Sequence, residues 1–252
     1  MSWRPVDCHA HSTHSDGRLT VAEVVEVARR RGVRPSVADH ITSDIAAGVR
    51  DVESVSGYLD ALEAHDVLRG GEFCWHDFLW RQLPPALVRR FTHRVGSLHA
   101  VPVAGRLVHA FRRFPSGLGA DAYMDAHLVA LETFAAEMPV DILAHPTLLP
   151  IPLRKLPLEE LWTEERETRA VEALRRNGIA FEISNRYRPH ERFVQRAARA
   201  GVRIALGSDG HTAEQVGDVA WPLELARRLG VADADLYDPT AHGSRTGHFA
   251  TT

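Results

Sequence analysis

The stretch V-D-C-H-A-H-S-T-H-S-D-G, residues 6–17, opens with a short apolar run and closes on metal-ligand-type side chains. His9 and His11 stand two apart. Along a strand that spacing sends both side chains to one face, so both imidazoles can reach one ion. Near the other end of the chain, A-L-G-S-D-G-H, residues 205–211, repeats the spacing with Asp209 and His211. Between the two, further candidates end short apolar runs: His40 in V-A-D-H, Glu72 in G-G-E-F, His99 in G-S-L-H and His145 in D-I-L-A-H-P. With Asp16 in H-S-D-G there are nine such residues. Imidazole and carboxylate are the usual ligands of zinc, iron and manganese. Nine are too many for one ion, whereas three ions sharing a bridging carboxylate use them all.

The intervening sequence alternates short apolar runs with longer amphipathic ones. Strands are predicted over 5–8, 35–38, 95–98, 140–144, 179–183 and 202–206, with a short run at 67–68 leading to Glu72. Helices are predicted over 20–31, 52–65, 120–138, 164–177, 191–200 and about 214–229. Thr20 with Glu23 makes a capping box, and Gly32 stops that helix. A short helix over 87–91 follows Pro84-Pro85, while 101–119 and the proline-rich 146–157 read as loops. Strand then helix recurs about seven times, which predicts an α/β fold with a parallel sheet, and closure into a barrel suits the count. In such barrels the chemistry sits at the carboxyl ends of the strands, where every candidate ligand falls. One barrel is expected over 1–230, followed by a loose polar tail over 231–252.

Composition narrows the function. The chain has 252 residues, with 44% hydrophobic and 25% charged side chains, as in ordinary globular proteins. A net charge of −3 provides no general basic field for nucleic acid or anionic membrane. No apolar stretch approaches the roughly 18 residues of a membrane helix. The start M-S-W-R-P-V-D lacks a signal-peptide core, so a cytoplasmic location is expected. Cys8 and Cys74 do not make a disulfide framework and read as buried free thiols.

Taken together, H-A-H-S-T-H-S-D-G, A-D-H, G-G-E, G-S-L-H, L-A-H-P, F-E-I-S-N and L-G-S-D-G-H resemble the PHP (polymerase and histidinol phosphatase) family of metal-dependent phosphoesterases. The resemblance runs from about residue 6 to 219. It implies a distorted seven-stranded (β/α) TIM-like barrel with a trinuclear site of two to three divalent ions, Mn, Fe or Zn. One ion would take His9, His11, Glu72 and Asp209; a second, Glu72, His99 and His145; the third, Asp16, His40 and His211. Some relatives carry histidine where this chain has Asp16, which makes His14 a competing ligand. The implied activity is hydrolysis of a small-molecule phosphate ester, histidinol-phosphatase-like, by a metal-bridging hydroxide.

A phosphate dianion also needs a cationic clamp. Lys155 is the only lysine, so the role falls to arginine, whose fork matches phosphate oxygens. Arg186 and Arg188 in N-R-Y-R-P lie just past a strand end and are the candidates, Arg186 first. His76 and Asp77 follow Glu72 closely and are candidates to support the ligands from behind. His65, His93, His109, His127, His190, His242 and His248 read as surface or loop residues, with adventitious metal binding as the only chemistry of the last two. Two other readings compete. An amidohydrolase-type barrel also opens with H-x-H, but its bridging lysine belongs at a strand end, whereas Lys155 lies in a proline-rich loop. A non-catalytic metal-binding module is the other, and such modules often lose ligands that are all present here.

Overall fold

The computed structural model describes residues 4–45 and 48–243. In chain order the elements are α1 (Val21–Arg30), β1 (Ser36–Val37), β2 (His40–Ile41), α2 (Val52–Glu63), β3 (Leu68–Arg69), β4 (Glu72–Cys74), α3 (Pro85–Val88), β5 (Val95–Ser97), β6 (Ala100–Val103) and β7 (Arg106–His109). There follow α4 (Ala120–Glu137), β8 (Ile142–Leu143), α5 (Leu158–Leu161), α6 (Glu164–Asn177), β9 (Ala180–Ser184), α7 (Glu191–Arg199), β10 (Ile204–Gly207), α8 (Ala220–Arg228) and α9 (Pro239–His242). The fold is α/β with a mostly parallel sheet. Six strands lie in the order β10-β9-β8-β5-β4-β2, every pair parallel.

Residues 5–11 hydrogen-bond toward both edges of this sheet. On one side Cys8 N–H donates to Leu206 O (2.8 Å), and Asp209 N–H donates to His9 O (2.8 Å). On the other, Ala38 N–H donates to Ala10 O (2.8 Å) and Arg34 N–H to Pro5 O (2.9 Å). A cluster of mostly small side chains (Val6, Cys8, Ala38, Val95, Ile142, Ala144, Ala180 and Ala205, with Tyr237) gathers inside the sheet. The larger core lies between sheet and helices, where Phe134, Trp162, Phe181 and Phe193 are fully buried.

Local chemistry explains the helix ends. Thr20 and Glu23 complete the capping box of α1. α6 runs from its Thr163 cap to Gly178, which takes φ of 61° and stops it. Several expectations are corrected. The stretch 101–119 is not all loop: β6 and β7 form an antiparallel hairpin around Ala104 and Gly105, at φ of 47° and 77°. Two left-handed residues match the turn that follows the twist of paired strands. α8 starts at Ala220 rather than near 214, because Gly217 sits at φ of 74° and breaks any helix there. Residues 231–243 are not loose: Leu236 and Tyr237 are buried, Tyr237 N–H donates to Ile204 O, and Arg34 pairs with Asp238 at 2.5 Å. Residues 244–252, including His248, lie outside the described residues. His93 and His127 are buried, not on the surface or in exposed loops. Among the described residues, no helix is long and apolar enough to cross a membrane.

Candidate functional site

The parallel register sets the level of the site. His40 pairs with Glu72 across β2 and β4, and Glu72 with Val95 across β4 and β5. His9 and His11 enter beside the end of β10, where His11 N–H donates to Gly210 O at 2.9 Å. His145 and Asp209 follow strand ends at φ of 29° and 51°, a left-handed bend that departs from the strand direction.

All nine sequence candidates converge. Glu72 is fully buried at the centre: Oε1 lies 3.0 Å from His145 Nε2 and 3.2 Å from His99 Nε2, and Oε2 lies 3.5 Å from His9 Nε2 and 3.8 Å from His11 Nε2. Asp209 Oδ1 is 3.2 Å from His11 Nε2. Asp16 Oδ1 is 3.2 Å from His211 Nε2, 3.6 Å from His40 Nε2 and 3.8 Å from His11 Nδ1. His14 instead packs edge-on against Tyr58, ring centroids 5.4 Å apart. Four overlapping groups offer donor atoms within 4.8 Å of one another: His9 with His11 and Asp209; His9 with Glu72 and His145; His40 with Glu72 and His99; and His11 with Asp16, His40 and His211.

The donor chemistry fits cations better than hydrogen bonds. His9 Nε2 faces His11 Nε2 at 3.2 Å, and His99 Nε2 faces His145 Nε2 at 3.3 Å. His9 Nδ1 meets Glu182 Oε1 at 2.9 Å, and a carboxylate only accepts, so that nitrogen carries the proton and leaves Nε2 as the ligand atom. His40 Nδ1 and Glu72 Oε2 lie 2.6 Å apart, yet out of hydrogen-bond geometry, so both are buried without a hydrogen-bond partner.

Protonation follows the same geometry. Burial pushes the Glu72 carboxyl up, but His40, His99 and His9 outweigh it and hold it well below the usual range. Burial opposes charge on His9 too, but Glu182 and Glu72 raise it well above the usual imidazole value. Burial is likewise overcome at His99 by Cys74 and Glu72. Burial, with His40 beside it, pushes His11 down to about 4. Asp209 stays below the usual range because His11 and His9 overcome its burial, and Asp16 because His211 and His40 do.

A cavity of about 230 Å³ opens over the cluster, walled by Ile45, Phe111, Tyr187 and Arg186. Arg186 Nη1 lies 2.8 Å from His211 Nδ1 and 3.8 Å from Asp209 Oδ1. Arg188 is turned elsewhere: its Nη2 donates to Asn185 Oδ1 (2.9 Å) and its guanidinium covers Trp221 at 4.5 Å. Two positions apart in a tight loop, the two side chains diverge. Arg154, not anticipated from sequence, sits over the Phe111 and Tyr187 rings at 5.1 and 5.3 Å.

Supporting groups were also missed. Asp39 accepts from Ser12 N–H (2.7 Å) and Ser15 Oγ (2.5 Å), fixing the loop that carries Asp16. Asp7 accepts from Ser208 N–H and Gly217 N–H, each at 2.8 Å, fixing the loop that carries Asp209. Cys74 Sγ lies 3.1 Å from His99 Nδ1. His76 and Asp77 do not support the ligands; they hold residues 42–44. Asp77 Oδ2 accepts from Ser43 N–H (2.8 Å), and His76 Nε2 lies 3.3 Å from Asp44 Oδ2. His109 joins Asp44 at 3.4 Å, and Arg112 already supplies the cationic partner of that carboxylate at 2.7 Å.

The crystal structure of histidinol phosphate phosphatase (HisK) from Lactococcus lactis subsp. lactis Il1403, complexed with zinc, L-histidinol and phosphate, matches this chain with a TM-score of 0.67. The match covers 94% of this chain and 95% of that one, at 17% identity. The chain has the fold of a histidinol phosphate phosphatase. No family model matches it, and no curated protein matches it significantly.

Proposed function

We propose that this chain is a metal-dependent phosphoesterase acting on a small-molecule phosphate ester, on a distorted seven-stranded barrel of the PHP type. The observation that carries the reading is the convergence of all nine ligand-type residues into overlapping groups around Glu72, a buried carboxylate that faces five of the imidazoles. The hydrogen bonds of residues 5–11 toward both sheet edges, and the small side chains inside the sheet, support a closed ring with that segment as the seventh strand. The overlapping donor groups support three ions: one on His9, His11, Glu72 and Asp209, one on Glu72, His99 and His145, and one on Asp16, His40 and His211.

Nitrogen and oxygen donors without thiolate suit Mn, Fe or Zn. When bound, such ions supply Lewis-acid charge for the phosphoryl oxygens and a hydroxide nucleophile at neutral pH. The chain's own residues do the rest. Glu72 orients His99 and His145 through one oxygen and faces His9 through the other. Arg186, on the cavity wall, binds the nonbridging oxygens of the ester and neutralises charge that grows as the ester bond breaks. Phe111 and Tyr187 border the leaving group and exclude water. The size of the cavity suits a small ester, and a cytoplasmic location accords with this role. The HisK structure holds L-histidinol and phosphate, so a histidinol-phosphate-like ester is the first substrate to assay here.

The amidohydrolase alternative lacks support, because Lys155 is exposed in the 3-10 turn Leu153–Lys155 and cannot bridge ions at the cluster. The test is twofold. Protein purified without chelator should carry two to three equivalents of transition metal by elemental analysis. It should also hydrolyse p-nitrophenyl phosphate when Mn, Zn or Fe is supplied. Absence of metal overturns the reading; metal without hydrolysis of any phosphate ester favours the non-catalytic module.

A further inference from the structure

Glu182 lies mid-strand in β9 and is fully buried, yet it takes no place among the nine candidate ligands. Its two oxygens serve two different segments. Oε1 accepts from His9 Nδ1 at 2.9 Å, and Oε2 accepts from the backbone N–H of His145. His145 is a left-handed residue at φ of 29°, a conformation that costs a non-glycine residue free energy and persists only when its surroundings hold it. The facing strand makes room for the carboxylate. Gly207 is next to Leu206, the partner of Ile183, and a Cβ placed on Gly207 would lie 2.0 Å from Glu182 Oε1 and 3.1 Å from His9 Cβ. A side chain there would displace the carboxylate or His9.

We propose that Glu182 is the positioning residue that sets two metal ligands at once, the His9 ring and the His145 backbone, in space that Gly207 leaves open. This rests on the phosphoesterase reading above. The chemistry requires two acceptors. With Glu182, His9 carries its proton on Nδ1 and presents the Nε2 lone pair toward the cluster. The isosteric Glu182→Gln offers one acceptor and one donor. Either His145 N–H loses its acceptor, or His9 adopts the other tautomer and places a proton on the ligand atom. Each choice weakens a different proposed ion, the one on His9 or the one on His145. The ion on Asp16, His40 and His211 has no contact with Glu182 and should be kept.

The experiment is a zinc titration of chelator-stripped wild type and Glu182→Gln against a chromophoric competitor, with circular dichroism to establish that both are folded. Zinc affinity at one of the three sites, the one on His9 or the one on His145, should fall by about 10- to 100-fold, the range for losing such a partner of a ligating histidine. Glu182→Asp, which keeps two acceptors on a shorter arm, should recover part of the loss. A folded Glu182→Gln with wild-type stoichiometry and affinity overturns the assignment and leaves the phosphoesterase reading standing. A wild type that takes no zinc overturns both. Should the variant not fold, ¹⁵N NMR of zinc-loaded wild type decides: His9 with its proton on Nδ1 supports the assignment, and the opposite tautomer overturns it.

Discussion

Replacing Glu72 by alanine is the sharpest perturbation of the proposed centre. The side chain is fully buried and faces His9, His11, His40, His99 and His145 at 2.6–3.8 Å. Two ions sharing one carboxylate stand about 4 Å apart. At an effective dielectric of 20, two dications at that distance repel by roughly 17 kcal/mol. A structural zinc site binds by about 10–16 kcal/mol in total. Without the shared anion, the repulsion exceeds what the second ion gains from the imidazoles that remain, His99 and His145. Glu72→Ala should therefore lose at least one metal equivalent and weaken another, and hydrolysis should become undetectable. The fold should persist, because the large cluster of buried apolar side chains does not involve Glu72. Elemental analysis, p-nitrophenyl phosphate turnover and far-ultraviolet circular dichroism measure the three outcomes. Wild-type metal content or turnover in the folded variant would refute Glu72 as the bridge and, with it, the electrostatic reasoning.

Arg186→Ala should keep its metals while kcat/KM falls about thirty- to thousandfold, because a bidentate charge-assisted contact is worth roughly 2–4 kcal/mol in the transition state; lysine should restore only part of it, and full activity in the alanine variant moves the clamp to another group such as Arg154. Arg188→Ala should change kcat/KM by less than about threefold, since that guanidinium is engaged with Asn185 and Trp221, and a loss as large as that of Arg186→Ala would show that the loop turns over on binding substrate. Burial pushes His127 down to about 4 from the ordinary imidazole value of 6.5. The unfolded chain therefore takes up this proton first, and the stabilisation present above pH 6.5 is lost as pH falls toward about 4, at a cost on the order of 3 kcal/mol. Denaturant titrations of wild type and His127→Leu across that window should diverge by this amount at the acid end, and parallel curves would show that the imidazole is not held neutral.

Much of the fold was legible because helices carry their own punctuation. α6 ends where Gly178 stops it, and α1 lies where Thr20 and Glu23 place it. Strands were legible in position but not in extent. The predicted strand over 35–38 shrinks to β1 at 36–37, and a second short strand, β2, follows at 40–41; the two pair with different partners, β3 and β4. Pairing partners are a property of the sheet, and local apolar content does not encode them. The β6–β7 hairpin was hidden for a chemical reason. Pro102 argues against a strand, and Ala104 is a poor residue for φ of 47°. In the structure Pro102 faces Leu107 in a two-stranded ribbon of its own, where a missing N–H is tolerated.

The candidate ligands were legible for a different reason: each closes a short apolar run, although His40 and Glu72 stand at the first residues of β2 and β4 and not, as expected, at a strand's carboxyl end. His9, His40, Glu72 and His145 needed no partner to be singled out, only the end of an apolar run. Glu182, Asp39 and Asp7 obey no such rule, because each acts inside or beside a strand through a neighbour distant in sequence. Glu182 meets His9 across 173 positions, and Asp7 meets Ser208 across 201. Such residues carry one signal in sequence, a carboxylate within an apolar run, as in A-F-E-I-S at 180–184. A buried charge of that kind is costly unless paired and hydrogen-bonded. Its presence in a strand therefore implies partners even before they can be named. Here the partners are two donors on segments that also carry candidate ligands, so the cost of burying Glu182 is offset by the same contacts that aim His9 and hold His145 in its bend.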